Sequence, residues 1–84
     1  MKIVYFAWFR ERVGLDEETV ELPAEVKTID NLLGWLKTRG ENYEAMLQQP
    51  EIVRVAVDRK HISEGGTDIT GANEIALFPP MTGG

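Results

Sequence analysis

A chain of 84 residues has room for one domain, and a domain that small must keep its core compact. Its 43% hydrophobic and 27% charged content suits a folded soluble domain, and its net charge of −5 disfavours non-specific nucleic-acid binding while leaning weakly towards partners with a basic surface. The absence of cysteine removes disulfides, thiolate metal sites, Cys-ligated iron–sulfur clusters and Cys nucleophiles, so any sulfur handled here cannot sit on a side-chain thiol.

The start, Met1-Lys2-Ile3-Val4-Tyr5, runs directly into a strand pattern with no signal-peptide cleavage site, and no apolar run approaches the roughly 20 residues of a membrane span. A cytoplasmic protein with no membrane partner is expected. Ile3 to Phe9 reads as one strand, apolar on both sides and therefore central, ended by Arg10-Glu11-Arg12 and Gly14. Glu18 to Leu22 alternates again, with Val20 and Leu22 opposite Thr19 and Glu21. With the short connection between them, the two strands read as a hairpin closed by Pro23.

Thr28 is a helix N-cap, with Asp30 in the first turn. Ile29, Leu32, Leu33 and Leu36 follow at i, i+3, i+4 and i+7 and form one buried stripe. Lys37 and Arg39 occupy the last turn, and Gly40 is a C-terminal stop. A second short helix is expected over Asn42 to Gln49, with Tyr43, Met46 and Leu47 on one side and Pro50 ending it. Val53, Val55 and Val57 alternate with Arg54, Ala56 and Asp58 as a third strand, and Asp58-Arg59-Lys60 reads as a turn. Glu64 to Asn73 is a Gly-, Asp- and Thr-rich loop, and Glu74 to Phe78 is the last strand, stopped by Pro79 and Pro80. The order implies an α+β roll with a helix across one sheet face.

The end of the chain needs a separate account. Two terminal glycines arise by chance in about 0.5% of chains, which is uncommon without being decisive, so the context matters. Here a strand runs into two prolines that favour an extended path, and Met81-Thr82-Gly83-Gly84 follows. Glycines lack Cβ, so such a tail can thread a narrow channel and present an unhindered carboxylate to another protein's active site.

Leu77-Phe78-Pro79-Pro80-Met81-Thr82-Gly83-Gly84 closely resembles the C-terminal signature of the small subunits of molybdopterin synthase, a family of ubiquitin-like sulfur carriers. Val4-Tyr5-Phe6-Ala7, followed by Arg10-Glu11 and Gly14, is similar to the same family, and the paired prolines favour the molybdopterin branch over the thiamine branch. The resemblance implies a β-grasp domain over 1–80, with a mixed sheet crossed by a helix, and a flexible tail over 81–84. It implies adenylation of Gly84 by an E1-like enzyme that consumes ATP, with Gly83 as support. A sulfur donor protein then makes a terminal thiocarboxylate, which the large subunit of a heterotetrameric synthase uses to convert cyclic pyranopterin monophosphate to molybdopterin. It also implies partner-binding positions at Phe6, Ile62, Phe78, Pro79, Pro80, Met81 and Thr82. Arg10, with Arg12, reads from the residues alone either as a cation for an acidic partner segment or as a solvated strand end. Gly71-Ala72-Asn73 departs from the Asp-Gly-Asp-like turn of most relatives, and Met81 stands where Val is more usual.

The residues by themselves leave alternatives. Phe6 and Phe78 fit an exposed face if Ile3, Tyr5, Ile75 and Leu77 line the core, and otherwise they are ordinary core; Trp8 suits either. His61 reads as a solvated turn residue with no metal partners, and Gly65-Gly66 as a plain loop. No nucleophile–base pair is visible, so no catalysis by the chain alone, no bound cofactor and no metal are expected. A thiamine-type carrier, a ubiquitin-like modifier of lysines and an inert interaction module are the competing functions.

Overall fold

The computed structural model describes residues 1–80. Five strands form one mixed sheet: β1 (Lys2–Tyr5), β2 (Glu17–Thr19), β3 (Arg54–Val57), β4 (Lys60–Ile62) and β5 (Glu74–Phe78), in the spatial order β2-β1-β5-β3-β4. The helices are α1 (Ala7–Val13), α2 (Ile29–Lys37) and α3 (Glu41–Met46). No helix among the described residues is long and apolar enough to cross a membrane.

The last strand holds the middle of the sheet. β5 runs parallel to β1, with Ile75 beside Ile3 and Leu77 beside Tyr5, and antiparallel to β3, with Leu77 beside Val55. Period-two alternation sends Ile3, Tyr5, Val55, Ile75 and Leu77 to one face, where all are buried. α2 lies against that face through Ile29, Leu32 and Leu36, each worth about 1.5–3 kcal/mol of burial. Its start is a capping box: the Asn31 amide donates to Thr28 Oγ1 at 3.1 Å, and the Thr28 amide donates to Asn31 Oδ1 at 3.3 Å. The loop before β5 serves the same helix end, since the carbonyls of Thr67 and Gly65 accept from the amides of Ile29 and Asp30. Ile69 anchors that loop in the core.

Several expectations need correction. The first strand stops at Tyr5; Trp8 and Phe9 belong to α1, and Arg10-Glu11-Arg12 continue the helix instead of ending a strand. β1 and β2 are antiparallel neighbours, as expected, but α1 replaces the short hairpin turn between them. The aromatic run favours a strand locally, but Phe9 and Val13 at i and i+4 bury one helical face. Gly14, at φ +85°, caps the helix by donating to the Arg10 carbonyl at 2.8 Å. The entry costs something, because Ala7 sits at φ +54°. β1 is interior, yet the central position belongs to β5. Gly40 precedes α3 instead of ending α2, and α3 itself is shorter than Asn42–Gln49; the expected turn is present at Asp58-Arg59, but Lys60 begins an edge strand, Lys60–Ile62, that was not expected.

β2 carries one carboxylate towards the core side. Glu18 lies opposite Ile3. Its Oε2 accepts from the hydroxyls of Tyr5 at 2.7 Å and Tyr43 at 2.8 Å, and its Oε1 accepts from Arg39 Nη1 at 3.0 Å. Arg39 in turn lies between the rings of Trp35 and Tyr43, at 5.2 and 5.1 Å. Burial pushes the Glu18 carboxyl up, but the three donors outweigh it and hold the group below the ordinary glutamate value. Burial and the same hydrogen bonds push the Tyr5 hydroxyl up. The cluster ties β1, β2, α3 and the segment after α2 together.

A group depressed in the folded state stabilises the fold fully above its unfolded pKa and loses that contribution as pH falls through the folded value. Glu18→Gln should therefore lower stability by about 1.5–3 kcal/mol at pH 7. The gap to the unsubstituted protein should narrow as pH drops below 4.5, the ordinary glutamate value. Urea unfolding of both proteins between pH 7 and pH 3 measures this, and a gap independent of pH would assign the loss to packing.

Candidate functional site

The sheet face away from α2 is left uncovered. Strand register builds it in rows. The middle row reads Glu17, Val4, Ala76, Ala56 and His61 across β2, β1, β5, β3 and β4. Two alanines at its centre make a low floor. One step towards the end of β5, Phe78 lies beside Arg54, and Phe6 follows β1, its amide donating to the Leu77 carbonyl at 3.1 Å. At the opposite end Lys2 lies beside Glu74, its Nζ 3.8 Å from Glu74 and 3.4 Å from Glu17. The result is an open, mostly apolar depression of about 780 Å³, walled by Phe6, Phe78 and Pro79.

The structure places the sequence-derived candidates as follows. Phe6 is 48% exposed, Phe78 is half-buried, and neither belongs to the core. They flank the same depression, with Pro79 beside them. Ile62 does not join them. It pairs with Val55, faces the core side, and lines a separate hollow of about 370 Å³ with Ile29 and Leu33. The shift follows from β4: in a strand, neighbouring positions point to opposite faces, so His61 takes the place on the open face. His61 meets Phe78 edge-on at 5.4 Å between ring centroids. Arg10 is exposed on α1, its Nε 3.7 Å from Asp16. Trp8 packs against the core beside Phe9, under Arg12. Pro80 is half-buried after β5; Met81, Thr82, Gly83 and Gly84 lie outside the described residues.

Val4, Ala56, Ala76, Arg54 and Arg59 belong to the same face or its margin and are absent from the sequence-derived candidates. Alternation of Ala56 with Val55 and Val57 was the available signal; the pairing of β3 with β5 was not available. Among the described residues no group of three or more His, Asp or Glu side chains could hold a metal ion. With its apolar floor and a rim of charges, the depression is suited to docking a protein surface.

Known proteins give this geometry a context. The model of the ThiS family matches residues 3–84. The molybdopterin synthase sulfur carrier subunit of Dictyostelium discoideum is 33% identical, over 99% of this chain and 94% of that protein. The subunit of the same name from Escherichia coli is 30% identical, over 100% and 99%. Among solved structures, a Pyrococcus furiosus protein assigned as a candidate subunit 1 of molybdopterin converting factor superposes with a TM-score of 0.75 at 28% identity, over 95% of each chain. SAMP1 of Haloferax volcanii, at TM-score 0.72 and 22% identity over 100% of this chain and 98% of that one, shares the fold. The fold is the ubiquitin-like β-grasp: a mixed sheet with a helix across one face and the last strand in the middle.

The division between open face and core is directly testable. Phe6→Ser should change unfolding free energy by no more than about 0.5 kcal/mol, as for an exposed position. Phe9→Ala, three residues on, should cost about 3–5 kcal/mol. Denaturant unfolding of the two variants measures the contrast, and equal losses would place Phe6 in the core.

Proposed function

The chain belongs to the ThiS family, and we propose that it is the sulfur-carrier subunit of a molybdopterin synthase, with the Gly84 carboxylate as its working group. The match to sulfur carrier subunits along essentially their whole length, reaching residue 84, carries this reading.

In the proposed cycle the carboxylate of Gly84 is a poor electrophile until an E1-like partner adenylates it with ATP, releasing pyrophosphate. Sulfur supplied by a donor protein at the sulfide level then displaces AMP and leaves a terminal thiocarboxylate. That sulfur is nucleophilic, and the large subunit directs it to cyclic pyranopterin monophosphate. Each dithiolene takes two sulfurs and therefore two carriers, which suits a heterotetramer. The chain supplies no catalytic side chain to this scheme. Its own contributions are the Gly83-Gly84 terminus and a surface that seats the partner, for which Phe6, Phe78 and Pro79 are the candidates. Pro80, Met81 and Thr82 would lie along the partner's channel. Arg10 is a candidate rim contact.

Incubation with an activating enzyme, ATP and a sulfur source should replace one oxygen by sulfur, as read by intact mass, and only in fragments that contain Gly84. Addition of the large subunit and cyclic pyranopterin monophosphate should then yield molybdopterin. Sulfur on another residue, or a thiocarboxylate that the large subunit does not use, would count against the assignment.

Removing Gly84 should abolish sulfur transfer while leaving the thermal unfolding midpoint unchanged. Retained transfer would sink the central claim. Phe78→Glu, confirmed as folded, should weaken binding to the large subunit by about 2 kcal/mol or more in calorimetry, the scale of an aromatic anchor in an interface.

A further inference from the structure

The chain carries a net charge of −5, yet one margin of its open face is cationic. On the β1–β2 side the charges are closed among themselves, with Lys2 held between Glu17 and Glu74. On the β3–β4 side Arg54 stands in the row of Phe78, and Arg59 lines the depression. Neither has a carboxylate within 4.0 Å among the described residues. Arg54 Nη1 donates to the Glu51 carbonyl at 2.8 Å, which steadies the guanidinium without neutralising it. Arg59 follows Asp58 in a turn of two left-handed residues, at φ +72° and +49°, the geometry that matches the twist of a tight hairpin. The one acid of this hairpin, Asp58, is turned to the backbone, where Oδ1 accepts from the amides of Asn73 and Glu74 at 2.9 Å each.

We propose that the β3–β4 margin is the charged half of the docking face, and that the synthase's large subunit presents carboxylates to Arg54 and Arg59 as its apolar surface closes over Phe6 and Phe78. The inference rests on the carrier function proposed above. Net charge alone points to a basic partner, whereas Arg54 beside Phe78 and Arg59 at the other end of the same margin, near Glu74, ask for an acidic one. Contact range decides between them: beyond about 8–10 Å of salt solution the remote acids are screened, and the rim cations face the partner directly. An apolar floor has little rotational preference. Two cations on one flank select one orientation of the partner, and orientation matters where the chain leaves β5 through Pro79 and Pro80. Arg suits this position because its planar fork binds a carboxylate in a defined geometry. Rim charges act mainly on association rate and specificity, and buried aromatic anchors on dissociation.

The test uses the full chain and the large subunit in stopped-flow binding at several salt concentrations. The variants are Arg54→Glu/Arg59→Glu, Arg59→Gln and Phe78→Glu. Reversing both charges should slow association about tenfold or more at low ionic strength, with the difference shrinking as salt rises and dissociation changing far less. Arg59→Gln, in an exposed turn that leaves the Arg54 hydrogen bond intact, should slow association about two- to threefold, again at low salt. Association and salt dependence equal to the unsubstituted protein in both charge variants would overturn the proposal, and faster association on reversal would show a basic opposing surface and overturn it as well. If Phe78→Glu weakens binding while the charge variants do not, the charged half fails and the docking face stands. If Phe78→Glu also binds as the unsubstituted protein does, the docking face itself fails.

Discussion

The two-sided pairing of β5 is the constraint on which the rest of this protein depends. A strand bonded to β1 on one side and β3 on the other is fixed in register by both, so each of its side chains has a determined direction. Ile75 and Leu77 complete the core beneath α2, while Ala76 and Phe78 complete the open face. A slip of one residue would exchange these sets, exposing the core and burying the depression. The same strand therefore secures the fold and shapes the surface offered to a partner. It also hands the chain to Pro79 and Pro80 at the aromatic end of that surface.

Parallel pairing of the first and last strands has a consequence for the connections. β1 can meet β5 in parallel only because the intervening chain crosses over, and α2 is the element that fills the crossover and covers the core face. β2 then needs another anchor, being short and at the sheet edge. The Glu18 carboxylate provides it, reached by two tyrosine hydroxyls and the Arg39 guanidinium from separate parts of the chain. A half-buried charge is tolerated because its lone pairs are satisfied, and no buried side-chain polar atom among the described residues lacks a partner.

The Glu18 cluster thus sits at the β2 edge, no polar or charged residue is buried in the core among the described residues, and the open face is kept simple. Small residues form its floor, aromatic rings its wall and charges its margins. Such a surface can seat another protein without a catalytic group of its own. That matches a carrier whose reactive atom is proposed to lie on the main chain at Gly84, since a terminal carboxylate needs activation and shielding by partners more than it needs neighbours from its own domain.

Local pattern was enough to read much of this chain. The Thr28 cap, the Ile29–Leu32–Leu33–Leu36 stripe, the alternation of β3 and of β5, and the grouping of Ile3 with Tyr5 and of Ile75 with Leu77 on one side of their strands all follow from local pattern, while which side is inward does not. Local propensity misled at residues 6–13, where aromatics written as a strand become α1 because burying Phe9 and Val13 against the core outweighs the preference of single residues. The family resemblance put Ile62 with Phe6 and Phe78, whereas its pairing with Val55 turns it to the core side, and β4 was not visible in three polar and apolar residues beside a turn. The sequence by itself determined which residues could be apolar partners and where helices and strands could begin and end, because those are properties of a few neighbouring positions. Which strands pair, which face Phe6, His61 and Phe78 share, and that Arg54 and Arg59 flank them, only the tertiary structure decided, because register between distant strands is set by the packing of the whole core.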